Sequence, residues 1–207
     1  MRNRRDIIVP DVPHHFILRG NNKRTLFSYA YEYRYFLKLM AASAHDNRIA
    51  VHAVALMQNH VHLIATPKSQ ELASRFVQRF AQTYSLVRNK QREHSGKLFE
   101  QRFVSIPLGE DAAVARATAY VDLNPVRAGT ENQRVWSTYH VHVGNPALAR
   151  LPSGLWTPSR WYLGLGATDE ERGAAYAAWL KERGRAEDVR AKPREIWLRR
   201  PDRKRAA

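Results

Sequence analysis

The chain of 207 residues contains no cysteine. That excludes disulfides and thiolate metal ligands, so any bound metal must be held by imidazole, carboxylate or amide groups. The chain also lacks an apolar run approaching the roughly 20 residues needed to cross a bilayer. Its N-terminus, MRNRRDIIVP, carries charge without a following apolar segment or small-residue cleavage site, and the expected location is the cytoplasm, on the nucleoid. Acidic residues are scarce: 19 Asp and Glu face 34 Lys and Arg, giving a formal net charge of +15 and a pI near 10.5. Such a field favours a polyanionic partner, with nucleic acid ahead of an anionic membrane surface. A membrane partner would call for an amphipathic basic helix with an apolar face, which the chain does not offer. With 44% apolar residues there is enough material for one substantial core and a small appendage.

The most informative stretch is VHAVALMQNHVHLIATP, residues 51–67. Its alternation predicts two antiparallel strands joined tightly at Gln58-Asn59. His60 and His62 then lie two residues apart on one strand, projecting from the same face about 7 Å apart, so both rings can reach one divalent ion. His52 and His94 are possible additional groups. His140 and His142 repeat the spacing, but no helix-borne nucleophile follows them.

Around that pair the chain reads as alternating strands and helices. Residues 1–12 form a basic lead. His14 to Arg19 predict a first strand, followed by the polar loop Gly20 to Arg24. Residues 25–45 and 69–90 have helical spacing, the second with much of its polar face basic. Residues 98–108 contain a strand whose Pro107 places it at a strand end or sheet edge. Glu110 or Asp111 can cap a third helix, which Pro125 should end at Asn124. The order predicts an α+β fold: a ferredoxin-like antiparallel sheet with helices on one face, plus an extra helix. Residues 13–143 are expected to form this domain. Residues 144–207 read as an extension with one helix near 169–183 and an Arg-rich tail.

Tyr120 and Asn124 lie four apart and share one face of the third helix. A tyrosine is an oxygen nucleophile, and an amide oxygen can be a third ligand for a hard cation already held by two imidazoles.

Four segments, HHFILRGNNKRTLF (14–27), MQNHVHLIATP (57–67), GKLFEQRFVSIPL (96–108) and YVDLNPVRAG (120–129), together resemble the single-tyrosine HUH nucleases, and within them the REP-associated tyrosine transposases. The resemblance implies that His60 and His62 are metal ligands, that Tyr120 is the nucleophile and that Asn124 stands at the third ligand position. Related transposases of the smallest insertion sequences commonly have glutamine there, and Gln58 replaces the proline many relatives carry before Asn-His. The implied reaction is cleavage of single-stranded DNA bearing palindromic hairpins, with Mg²⁺ or Mn²⁺, through a 5′-phosphotyrosine that a 3′-OH can then attack. Arg19, Asn21, Asn22, Lys23, Arg24 and Arg102 are the expected DNA contacts, the Arg-rich tail is a possible clamp on the hairpin stem, and a monomer is expected. Rival readings are a non-catalytic single-stranded nucleic-acid binder derived from a transposase and a metal-dependent hydrolase that uses water in place of tyrosine.

Overall fold

A computed structural model of the protein describes residues 8–100 and 102–184. Four strands, β1 (His14–Arg19), β2 (Ala50–Met57), β3 (His60–Thr66) and β4 (Val104–Pro107), form one antiparallel sheet in the order β2-β3-β1-β4. This is the order a ferredoxin-like β-α-β-β-α-β chain produces. The turn between β2 and β3 falls at Gln58-Asn59, as the break in alternation predicts.

Helices α1 (Ala30–Asp46) and α2 (Gln70–Gln91) cover one face of the sheet. Phe36, Leu37, Met40, Phe76 and Phe80 pack there against Phe16, Leu18, Val61 and Leu63. The extra helix, α3 (Asp111–Arg127), covers the opposite face, where Val114, Ala117 and Val121 meet Ala53, Ala55 and Ile64. Strand residues that alternate in sequence thus divide between two cores.

The boundaries depart from the sequence reading at three places. Helix α1 begins five residues later than expected, because the Glu32 carboxylate reaches back to the backbone N–H groups of Ser28 and Tyr29 and fixes the start there. The same buried carboxylate receives Arg88 of α2 at 2.8 Å and Arg92, the residue that caps α2, at 3.2 Å, which locks the two helices together. Strand β4 is short, and α3 runs through Pro125 to Arg127. Proline removes one helical N–H, but near a C-terminus the loss is tolerated when other groups hold the last turn. Here Ala128 N–H bonds Asn124 O, and both the N–H and the hydroxyl of Thr130 bond Pro125 O.

The chain beyond α3 closes over the sheet. Two 3-10 turns, Glu131–Trp136 and Pro146–Leu148, and two short helices, α4 (Tyr139–His142) and α5 (Arg160–Leu163), lead to α6 (Asp169–Gly184). Along the outer edge of β2, Thr138 N–H bonds Val54 O at 2.9 Å, Thr157 N–H bonds Val51 O at 2.8 Å, and the Trp156 indole bonds His52 O at 2.9 Å. An edge that could recruit another strand is thereby covered. The Arg-rich tail expected after residue 183 lies, from residue 185 on, outside the described residues.

Candidate functional site

On β1 and β3, residues His15, Ile17 and Arg19 and residues His60, His62 and Ile64 all point toward α3. Register makes Ile17 the partner of His62 and Arg19 the partner of His60. The two HxH rings lie edge to face with centroids 4.9 Å apart. Helix α3 presents Tyr120 to the same place, its ring 5.3 Å from His62 and 6.0 Å from His15. Strand imidazoles and helix phenol, 58 or more positions apart in the chain, are therefore neighbours.

The ring nitrogens are not equivalent. His60 Nδ1 is 2.7 Å from the Asn59 side-chain oxygen, and His62 Nδ1 is 2.9 Å from His15 Nε2. Since Asn59 Oδ1 can only accept, His60 carries its proton on Nδ1 and keeps Nε2 as a lone-pair donor. His62 does the same when its Nδ1–H donates to His15. Burial drives these rings neutral: His60 is pushed down to about 4 by desolvation and then by the Arg19 charge, and His15 to about 3 by desolvation. His62 is held well below its usual range by burial first and then by His15, His60 and Arg19. Neutral imidazoles with Nδ1 engaged are the form that binds a cation.

Among the described residues no three His, Cys, Asp or Glu groups converge as a metal cluster. A cation here would rest on two imidazoles and an amide. Asn124, one helical turn from Tyr120, is the amide at hand: it is nearly buried and its Nδ2 donates to the Tyr120 carbonyl at 2.8 Å, a bond that does not use its Oδ1, a hard donor by chemistry. Burial raises Tyr120 above the usual phenol value, while a hydrogen bond with Asn124 and the charges of Arg127 and Arg19 pull it back down. The Arg127 guanidinium lies over the Tyr120 ring, 4.9 Å from its centroid.

The other expected residues are distributed unevenly. Gly20 to Arg24 sit beside the histidines, since Gly20 N–H bonds Asn59 O and the N–H groups of Leu26 and Phe27 bond Gln58 O. Gly20 cannot carry a side chain, because a Cβ there would meet the Arg24 carbonyl oxygen at 2.1 Å. Arg19, Asn22 and Lys23 are exposed, and Arg102 is exposed further along the sheet edge. His52 is elsewhere, bonded to Thr66 and to the Thr157 carbonyl, and His94 is exposed after α2. His140 and His142 lie on α4, so their spacing does not bring the rings to one face of a strand. His142 is instead buried against Asp122.

His15, Asn59 and Arg127 were not selected from the sequence. Parity alone could have flagged His15, since it lies an even number of residues from Arg19 on a strand. Its meeting with His62 depends on register, which the sequence does not print.

Residues 8–124, more than half the chain, match the family model described as Transposase IS200 like. The chain belongs to the IS200-like transposase family. Its fold is similar to that of a REP-associated tyrosine transposase solved bound to a REP hairpin, with 16% identity, a TM-score of 0.55, and coverage of 77% of this chain and 93% of that one. A second solved structure, a transposase-type protein of Deinococcus radiodurans R1, shares 16% identity at a TM-score of 0.41, covering 64% of this chain and 98% of that one. No curated protein matches the chain. Membership in this transposase family brings with it DNA strand cleavage and transfer as the class of activity. No helix among the described residues is long and apolar enough to cross a membrane.

Proposed function

We propose that this IS200-like transposase cleaves and rejoins single-stranded DNA next to a hairpin, using Tyr120 as nucleophile and His60, His62 and Asn124 as ligands of Mg²⁺ or Mn²⁺. The observation that carries the reading is the edge-to-face meeting of Tyr120 with His62, 5.3 Å between ring centroids, on a face where the Nδ1 atoms of both HxH rings are engaged by Asn59 and His15. The hairpin substrate is supported by the similar solved protein, which is bound to one.

A phenol with a pKa near 10 is deprotonated in only about one molecule in 1,000 at pH 7, and a phosphodiester is itself an anion that repels nucleophiles. A divalent cation held by the two Nε2 atoms and the Asn124 oxygen would polarise the scissile phosphate and neutralise part of its charge. The chain's own residues do the rest. Helix α3 holds the Tyr120 ring against the histidine pair, so that the hydroxyl and the phosphate share one small space. Arg127 and Arg19 favour the phenolate, and Asn124 hydrogen-bonds to it. The Tyr120 oxygen forms a bond to phosphorus, the bond from phosphorus to the 3′ oxygen breaks, the phenolic proton leaves to solvent and the 3′ oxygen takes up a proton. The products are a 5′-phosphotyrosine and a free 3′-OH. Because the new ester retains the energy of the old one, attack by a second 3′-OH rejoins strands without a nucleotide cofactor.

The test is incubation with a single-stranded hairpin oligonucleotide and Mn²⁺, followed by denaturing electrophoresis. The expected result is a covalent protein-DNA band that disappears in Tyr120→Phe. A band that persists in Tyr120→Phe would displace Tyr120 as nucleophile. Cleavage without any band would favour a hydrolase, and DNA binding with neither would favour a non-catalytic binder.

A further inference from the structure

Strands β1 and β4 stay paired only as far as Ile17 and Val104, and the two chain segments meet again at Gly20 and Phe99. The Glu100 N–H bonds the Arg19 carbonyl at 2.9 Å just beside that second meeting point. Between the two closures the β4 side is longer than the β1 side, so the ladder opens. A cleft of about 530 Å³ lies there, between the end of β1 and α2, a size within the roughly 300–1,000 Å³ range of ligand sites.

Its lining has the chemistry of a base-recognition site. Phe99 and Phe103 supply apolar walls and are held from beneath by the core, Phe103 against Phe16 at 5.5 Å and Phe99 against Phe36 at 6.2 Å between ring centroids. Gln70 and Gln78 line it from α2, each able to donate and accept hydrogen bonds at a base edge. Arg19 and Arg102 stand at its borders and can take the flanking phosphates. Glu100, also in the lining, accepts from ring N–H and exocyclic amine groups while repelling a phosphate pushed inward. Arg19 belongs to both places, since its charge also acts on His60 and Tyr120.

We propose that this cleft receives one unstacked nucleobase of the DNA strand that passes the catalytic tyrosine, so that a base near the scissile phosphate is read by the protein from the α2 side of the sheet. The proposal rests on the single-stranded DNA reading above and adds a location for base recognition. Aromatic contact with an unstacked base is sequence-tolerant, and the two amides and the carboxylate supply preference among bases.

The experiment uses the full chain and a hairpin with a single-stranded flank of about eight nucleotides, a length comparable to single-stranded binding sites in general. Affinity is measured by fluorescence anisotropy for the base-bearing flank and for a flank of the same length made of abasic nucleotides, which keeps the phosphates. The base-bearing flank should bind about tenfold more tightly, as a stacked base contributes. Ser74→Trp, on the exposed side of α2 at the cleft, should abolish that advantage and leave abasic affinity unchanged, and Gln78→Trp should behave alike. Equal affinity for the two flanks in the wild type overturns the proposal, as does a loss in both variants that is the same for both flanks. Tyr120 adduct formation on the same oligonucleotides at saturating DNA is scored separately. If no adduct forms but base dependence survives, the catalytic reading fails and the cleft stands; if adducts form without base dependence, the reverse holds.

Discussion

His62 is fully enclosed, so the atom opposite its Nδ1 decides which nitrogen faces outward. That atom is His15 Nε2, at 2.9 Å. A carboxylate in this place would add a charge to the buried layer, whereas a neutral imidazole orients its neighbour without one. His15→Phe keeps a ring of similar size and removes the acceptor, leaving the His62 Nδ1–H buried without it. Mn²⁺ affinity measured calorimetrically should fall about 10- to 100-fold, the usual effect of losing an orienting partner; unchanged affinity would show that packing alone fixes His62. Arg127 acts on the other half of the site. Its charge lowers the Tyr120 pKa, so in Arg127→Gln the phenolate should require a higher pH. The pH profile of adduct formation should move upward, with the rate at neutral pH falling up to about tenfold for each unit of displacement, and DNA-free thermal stability should serve as the control for folding.

At the scale of elements, α3 is aimed by what grips its far side. Asp122, two residues after Tyr120, is completely buried and accepts hydrogen bonds from Thr138 at 2.9 Å and from Tyr176 at 2.7 Å, with His142 Nδ1 also at 2.7 Å. Two separate pieces of the C-terminal chain, α4 with its N-cap Thr138 and α6, thus converge on one carboxylate. His142→Ala leaves that buried carboxylate short of a hydrogen-bond partner, which costs about 1–3 kcal/mol. A urea midpoint lowered by a corresponding amount is expected, along with slower adduct formation as α3 loosens. This network also marks where sequence reading reached its limit. The strands and the HxH pair were legible because period-2 alternation and the Gln58-Asn59 break are local signals, and Tyr120 with Asn124 was legible because a four-residue spacing defines a helix face. His140 and His142 repeated the two-residue spacing without its meaning, because that spacing is silent about whether the backbone is extended, and here it is helical. Arg127 was hidden by Pro125, whose local rule ends the helix while Thr130 sustains it through a contact only the fold supplies. Glu32 was hidden likewise, its role depending on Arg88 and Arg92 more than fifty residues away.

For the whole molecule, histidine burial and excess positive charge act in the same direction in acid. His14, His15, His52, His60 and His62 all have pKa values lowered by burial. In the unfolded chain each would titrate near 6.5, so below that pH the unfolded state binds protons that the native state refuses. Stability must then fall as pH drops, from about 6.5 down through the native values near 4 for His60 and near 3 for His15. Each such imidazole contributes about 1.4 kcal/mol per pH unit within that window, and three or more acting together would consume much of a typical domain's roughly 5–15 kcal/mol. The formal charge of +15 adds self-repulsion to the compact state rather than opposing the trend. Metal-free protein followed by urea denaturation at pH 7.0, 6.0 and 5.0 should therefore show a midpoint that drops steeply and increasingly below about pH 6.5. Adding Mn²⁺ should raise the midpoint at pH 7 and by nearly as much at pH 5, because with His60 near 4 and His62 held well below its usual range the folded imidazoles are still neutral there. A midpoint that stays flat between pH 7 and pH 5 would mean that the histidine layer is open to solvent, and with it the neutral-ligand argument for His60 and His62 would fail.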